Sequence, residues 1–381
     1  MIIISGGKLF IRDGTTVTEH LSPFASEKVA DEEKQQKSDQ WKNSEPEEAG
    51  SPLFSRQALW GTKAGGSRPV PPRFRFARQV GNRLYYVLEL SRTNGLLYYD
   101  RASHKEIRLF HKEDFQPHGF FVDDQMRIFT TRTNADHSTH IIRLDGEGKS
   151  STILTGGDCI DENPFVCDGK LYYQTAGIGR NEHGQACLWS PLAIQRIDLA
   201  SGETRAVAED PRFDFLLPKA DRAGNVYFIR RPYRQVSDYP WSTFLWDILA
   251  FPYRLCMGIL GFLDTFTRFF GKTPLKTAGG PSGNEHEAAN RVILGQWMNV
   301  VEATRKAGRP VAVPGDWQLI KRSPTGTEQV VADHVVGYDL DEAGKVIYTT
   351  GFEIMTGTGE KIHESTELVD LVCFPPAEKA G

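Results

Sequence analysis

Residues 72–110 read "PRFRFARQVGNRLYYVLELSRTNGLLYYDRASHKEIRLF". The extended run "PRFRFARQV" meets a turn at Gly81–Asn82. "RLYYVLEL", "GLLYYD" and "KEIRLF" follow, each set off by turn-forming residues. Short runs rich in aromatic and branched side chains, bounded by Gly, Asn, Asp and Ser, read as strands of a meander. A lone four-stranded sheet with apolar residues on both faces cannot stay in water by itself. The question is what covers it.

The rest of the chain answers by repeating the unit. "HGFFVDD", "MRIFTTR", "HIIRLD" and "SSTIL" form a second, over residues 118–154. "NPFVCDG", "KLYYQTAG", "AIQRIDLASG" and "ETRAVA" form a third, over 163–208. A fourth starts with "FDFLLPKADRAG" and "NVYFIRR", is interrupted, and resumes with "WQLIKRSPTG" and "EQVVAD". A fifth runs "VVGYDLDEAG", "KVIYTTG", "FEIMTGTG" and "EKIHE". The second strands share a pattern: "RLYYVL", "MRIFTT", "KLYYQT", "NVYFIR" and "KVIYTT". Self-similar four-stranded units predict a propeller.

The remaining strands complete the count. "ELVDLVCF" at 367–374 is one strand, and "IIISG", "KLFIRDG" and "TVTEHL" near the N-terminus are three. Together they make a sixth unit, which joins the two ends of the chain and leaves no free edge in the ring. The expected fold is an all-β, six-bladed propeller over 1–20 and 70–374, with a tail at 375–381. A stack of β-sandwiches is the rival, and it would not need the ends to complement each other.

The units "DENPFVCDGKLYYQT" (161–175) and "FLLPKADRAGNVYFIRR" (215–231) resemble repeats of TolB-like propellers. More narrowly, "SPFA" (22–25), "DPRFDFLLP" (210–218) and "KTPLKTAGGP" (272–281) resemble a group of uncharacterised bacterial propeller proteins. The resemblance implies a fold. It supplies no catalytic residues.

Two insertions leave the ring. Residues 21–69 open with a helix start, Ser22 as N-cap, Pro23 in the first turn and Glu27 behind it. Apolar positions there are sparse (Phe24, Val29, Trp41), and linker-like sequence follows, so the segment reads as a strap across the ring or an interaction arm. The second insertion, 232–313, interrupts the fourth unit between its second and third strands. Pro252 divides its apolar stretch into helices expected at 243–251 and 253–271, with Gly271 as C-cap. Asp247, Arg254 and Arg268 form a narrow polar line. Trp246, Leu249, Phe251, Leu255, Ile259, Phe262, Phe266 and Phe269 are among the residues covering the other directions. Such helices lie in protein or lipid. A third helix is expected from Asn284 to Gly308 and Pro310, with Ile293, Trp297, Val300 and Val301 on one face. The apolar pair can fold back on the ring, lie in a membrane interface, or dock on a partner. Pro252, Asp247 and Arg254 argue against a span.

Composition narrows the function. The 381 residues carry 45 Lys and Arg against 49 Asp and Glu, which excludes a strongly basic nucleic-acid binder. The five cysteines, at 159, 167, 187, 256 and 373, include no CxxC pair, so neither a disulfide framework nor a zinc site follows from spacing. The N-terminus lacks a basic region and a long apolar run, which suggests a cytoplasmic protein, peripheral at the inner membrane if the insertion meets lipid.

Chemistry in a propeller is sought at the axial funnel, where strand starts place His118, Asp161, Glu162, Asn163, Asp214, His334 and Glu367. Glu162, Asn163, Asp214 and Glu367 offer hard oxygen ligands of the kind calcium takes, as in gluconolactonase-like propellers. The plainer reading is that they cap loops and hold water. His118 and His334 suit acid–base work, or simply satisfy backbone groups. His137 and His140 flank a loop and are weaker ligand candidates. "GIGRNEHG" (177–184) leads into no helix and reads as a hairpin loop. No GxSxG, HExxH, P-loop or dinucleotide fingerprint occurs. The expectation is a non-catalytic, cofactor-free scaffold that binds protein partners, its insertion docking to a partner or a membrane surface. The alternatives are a metal-dependent, lactonase- or esterase-like hydrolase at the funnel, with calcium or another divalent metal, and a small-molecule or peptide sensor.

Overall fold

A computed structural model describes residues 1–43, 71–91, 93–146, 148, 150–234, 290–341 and 343–374, without the side chains of 36–43 and 290. The two apolar helices expected at 243–251 and 253–271, from Trp246 to Phe269, lie outside the described residues, as do most of the linker and the tail.

The chain folds as antiparallel meanders. β1 (Ile2–Ser5), β2 (Lys8–Asp13) and β3 (Thr16–His20) pair in order, and β27 (Val369–Cys373) adds to the free side of β1. β4 (Arg73–Val80), β5 (Arg83–Leu90), β6 (Thr93–Asp100) and β7 (Lys105–Lys112) make the next sheet. A nine-stranded sheet contains two more meanders. One is β8 (Phe120–Val122), β9 (Ile128–Thr133), β10 (Thr139–Leu144) and β11 (Ser151–Ile153). The other is β12 (Cys159–Cys167), β13 (Lys170–Arg180), β15 (Ala193–Asp198) and β16 (Thr204–Ala208), with β14 (Ala186–Trp189) on the far end of β13. The two meanders are joined by one parallel pair, Thr139 with Ile160. β17 (Phe213–Ala220), β18 (Val226–Pro232), β21 (Gln318–Arg322) and β22 (Glu328–Ala332) form the sheet that the insertion interrupts. β23 (Gly337–Leu340), β24 (Val346–Thr349), β25 (Glu353–Thr356) and β26 (Lys361–Glu364) form the last.

Side-chain alternation along each strand explains why these sheets associate. Ile2 and Ile4 pack with Leu84, Tyr86 and Leu88 of β5. Ile3, between them, faces the other way and packs with Ile347 and Ile354. Tyr85 and Val87 join Val122 and Ile128. Phe129 and Ile141 join Leu171 and Tyr173. Tyr172 turns instead to Phe215 and Phe228, and Leu216 and Ile229 meet Tyr338 and Tyr348. Each sheet is covered on both faces, and each fully buried large side chain contributes ~1.5–3 kcal/mol. The innermost strands β27, β4, β8, β12, β17 and β23 touch in that order and return to β27. The series of contacts thus closes on itself. The all-β propeller architecture expected from the repeats is the one present.

α1 (Pro23–Asn43) begins where Ser22 Oγ accepts the Ala25 N–H at 3.1 Å. Ser22 itself donates to Glu106 of β7 at 2.6 Å, and the Phe24 N–H donates to the other carboxylate oxygen at 2.8 Å. The Tyr86 hydroxyl donates to the same carboxylate. One acid thus caps the helix and ties it to the β4–β7 sheet, with Phe24 packed into the adjoining core.

The third helix of the insertion is shorter than the sequence suggests. Among its described residues, 290–299 are a hairpin, β19 (Asn290–Ile293) and β20 (Gln296–Asn299), and α2 (Val300–Ala307) is the helical part. Leu294 and Gly295, both at positive φ (45° and 79°), form the two-residue turn that a helix cannot contain. The expected common face therefore divides: Ile293 and Val300 are buried, whereas Trp297 and Val301 are exposed. Asn299 caps α2 by accepting the Glu302 N–H at 3.0 Å, and Gly308 ends it. Ile293, Met298 and Val300 pack with Trp317, Val336 and Leu368, so this part of the insertion folds back on the ring. Among the described residues no helix is long and apolar enough to cross a membrane.

Candidate functional site

The inner strands carry the funnel candidates, and two of these strands are distorted where the candidates lie. β12 has an irregularity between Glu162 and Phe165, with Asn163 at φ 51° ahead of Pro164. β17 has its counterpart between Leu216 and Lys219, with Leu217 at φ 53° ahead of Pro218. Each proline removes a ladder donor, so a bulge is the form these strands can take.

The bulge in β12 brings three candidates together. His118 Nδ1 lies 3.2 Å from Glu162 Oε1, and the His118 carbonyl accepts the Asn163 N–H at 3.2 Å. The close approach needs Gly119, because a Cβ there would stand 2.5 Å from the Asn163 nitrogen. Gln174 donates to Glu162 at 2.9 Å, and its carbonyl oxygen accepts the Leu217 N–H at 2.9 Å, linking two sheets. His118, about half exposed, and Glu162 form the accessible polar pair at this rim.

The other candidates go elsewhere. Asp214 accepts the Leu192 N–H at 3.0 Å and Arg231 Nε at 3.0 Å. Arg231 also donates to the Leu294 carbonyl at 2.8 Å and lies over the Trp317 ring. Burial pushes the Arg231 guanidinium down from its ordinary value, and Asp214 opposes that shift. Asp214 thus locks the inserted hairpin to the ring. His334 Nδ1 is 2.9 Å from the Val313 carbonyl, at the return of the insertion. Glu367 is exposed, and its carbonyl accepts from Ser5 at 3.2 Å.

Two features escape sequence reasoning. Asp370, on β27, is accessible to water yet crowded by protein. Burial pushes its carboxyl up to about 6, against the downward pull of Arg73, Arg291 and Arg75. Its signal was a charge in the middle of the otherwise apolar "VDLVC". The second feature is a cluster. The parallel pair between β10 and β12 sets His140 beside Cys159 and Asp161, whose potential ligand atoms all lie within 4.8 Å of one another. Among the described residues this is the group able to hold a cation with three such side chains. Cys159 and Asp161 line a cleft of about 630 Å³ with Tyr173, Thr175, Gln195 and Asp210. Burial, then the neighbouring Asp161, pushes the Cys159 thiol up to about 12. Bare, that thiol is no nucleophile. The sequence marks His140 as a weak ligand candidate and Asp161 as a funnel residue, and Cys-x-Asp on one strand face ties Asp161 to Cys159. His140 lies about twenty residues earlier, and no metal-ligand spacing links them.

No protein-family model matches the chain, and no curated protein matches it. Solved structures do. The tricorn protease is similar over 97% of this chain and 33% of its own, at 13% identity and TM-score 0.46. TolB from Acinetobacter baumannii is similar over 97% of this chain and 64% of its own, at 9% identity and TM-score 0.49. A chain of a nidogen/laminin complex is similar over 97% of this chain and 95% of its own, at 8% identity and TM-score 0.48. The chain therefore spans about a third of the tricorn protease chain and just under two thirds of the TolB chain. In fold it resembles the TolB-like β-propellers.

Proposed function

We propose that the chain is a cytoplasmic propeller scaffold that binds a protein partner through the segment inserted between β18 and β21. One observation carries the reading. Val292 and Trp297 sit opposite each other on the outer face of the inserted hairpin and are 55% and 76% exposed. The hairpin's inner face is fixed on the ring by Ile293, Met298 and the Arg231 contact. A rigid hairpin presenting Trp beside an aliphatic residue is the kind of anchor that fills a pocket on a partner. Val301, 63% exposed on α2, extends the apolar display. The funnel-hydrolase alternative is weakened because both Asp214 oxygens already accept from Leu192 and Arg231.

The test is quantitative affinity purification of the full chain and of a V292S/W297S variant, alongside flotation with anionic vesicles. The reading expects one or more proteins held by the parent and reduced several-fold by the variant, with vesicle binding absent from both. An unchanged set of captured proteins overturns it. Flotation of the parent transfers the role to a membrane surface.

A further inference from the structure

We propose that His140, Cys159 and Asp161 form a binding site for a divalent transition metal of the zinc class, with the fourth position open to the adjoining cleft. The site involves no residue of the insertion, so it stands apart from the scaffold reading.

The argument begins with the hydrogen bonds. Ser138 Oγ donates to Asp136 at 2.7 Å and accepts from Asn134 at 2.9 Å. Its remaining acceptor capacity faces His140 Nε2 at 3.4 Å. This arrangement places the ring proton of neutral His140 on Nε2 and leaves Nδ1 a bare lone pair. Nδ1 is buried and has no hydrogen-bond partner. It faces Asp161 Oδ2 at 3.8 Å, and Asp161 is only 3% exposed. Thr175 donates to Asp161 Oδ1 at 2.6 Å, which turns Oδ2 towards His140 and Cys159. Cys159 Sγ is 3.3 Å from that oxygen. Three lone-pair donors therefore converge on one point, with a single thiol proton between them. A buried arrangement of this kind calls for a cation.

The donor set selects the cation. One imidazole nitrogen, one sulfur and one carboxylate oxygen suit zinc and its borderline neighbours, not calcium or magnesium. Tetrahedral zinc with bonds of ~2.0–2.3 Å holds its ligand atoms ~3.3–3.8 Å apart. For one nitrogen, one sulfur and one oxygen the span is ~3.3–3.6 Å; the sulfur–oxygen separation of 3.3 Å already meets it, and the nitrogen–oxygen separation of 3.8 Å needs to close by only ~0.5 Å. Ser138 behind the imidazole and Thr175 behind the carboxylate are the outer partners that such ligands carry. Binding exchanges the Cys159 proton for the metal and releases that proton to solvent. Water from the cleft supplies the fourth ligand.

The experiment uses the full-length protein, stripped with a chelator and titrated with Co²⁺ and then Zn²⁺. The site predicts one equivalent of Co²⁺ with tetrahedral d–d bands and a sulfur-to-cobalt charge-transfer band, both lost when Zn²⁺ displaces it. Cys159→Ser should abolish the charge-transfer band, His140→Gln should weaken binding more than ~10-fold, and Ser138→Ala should weaken it ~10-fold. Cys187→Ser, at an exposed cysteine, should change nothing. Circular dichroism shows whether each variant is folded. The proposal falls if the parent binds no stoichiometric Co²⁺, or if the sulfur band survives in folded Cys159→Ser.

Discussion

Ile3 of β1 stands directly opposite Val372 of β27, so residues near the two ends of the chain share one sheet. Ile3 is 1% exposed and packs against Ile347 and Ile354 of the neighbouring sheet. Ile3→Ala should cost ~2–5 kcal/mol. Urea denaturation measures it, and a loss under 1 kcal/mol would place Ile3 outside the closing core. Removing residues 369–374 should abolish cooperative unfolding, because β1 loses its partner and two sheets lose a covering face.

Asp214 and Arg231 are each almost fully buried and charged. Taking one away strands the other, at ~3–5 kcal/mol. Arg231→Met should therefore be strongly destabilising, and Asp214→Asn/Arg231→Met together should recover part of the loss. Limited proteolysis adds a local readout. Freed from the Arg231 contact, the 290–299 hairpin should be cut faster while the ring resists.

Glu106 joins helix α1 to the β4–β7 sheet by accepting from Ser22, Phe24 and Tyr86. Glu106→Ala leaves those donors without their acceptor, at ~1–3 kcal/mol. Hydrogen exchange over residues 23–32 should accelerate by at least tenfold, with little change in β17 or β18. Equal acceleration everywhere would mean that the acid supports the ring and not the helix.

Asp370 gives the stability a pH dependence opposite to that of an ion-paired acid. Its folded-state pKa is about 6, above the ordinary carboxyl value, so the folded chain holds this proton more tightly than the unfolded chain. Its contribution is fully present below pH ~4 and is lost as pH rises through about 6. Because water reaches the side chain, the amplitude is on the order of 1 kcal/mol. Asp370→Asn should flatten the stability profile between pH 4 and 6 and raise stability at pH 7. A parent profile already flat in that window would contradict this assignment.

Why the ring was legible and the sites were not has a physical basis. Strand alternation and turn residues are local, so "RLYYVLEL" and its counterparts announce themselves, and so do the β27 and β1 segments that pair. Ser22 and Pro23 announced the start of α1 for the same reason. The hairpin at 290–299 was misread because Ile293, Trp297, Val300 and Val301 also satisfy a helical period. Only the Leu294–Gly295 turn separates the two readings, and a single Gly is a weak breaker. His140, Cys159 and Asp161 meet through one parallel pair between two meanders, which no spacing encodes. Asp214 looked like a metal ligand because its buried partner, Arg231, lies in the next strand.

The pairing of β1 with β27 also sets a timetable for biosynthesis. The ribosome delivers Ile2–Ile4 first and their partner strand roughly 360 residues later, which at ~5–20 residues per second is a wait of ~20–70 s. Until then β1 keeps one edge unpaired, and its Ile3 face stays bare until Ile347 and Ile354 have been made. Nascent chains stalled before residue 369 should therefore be held by chaperones, and release of the last strand should be the event that frees them.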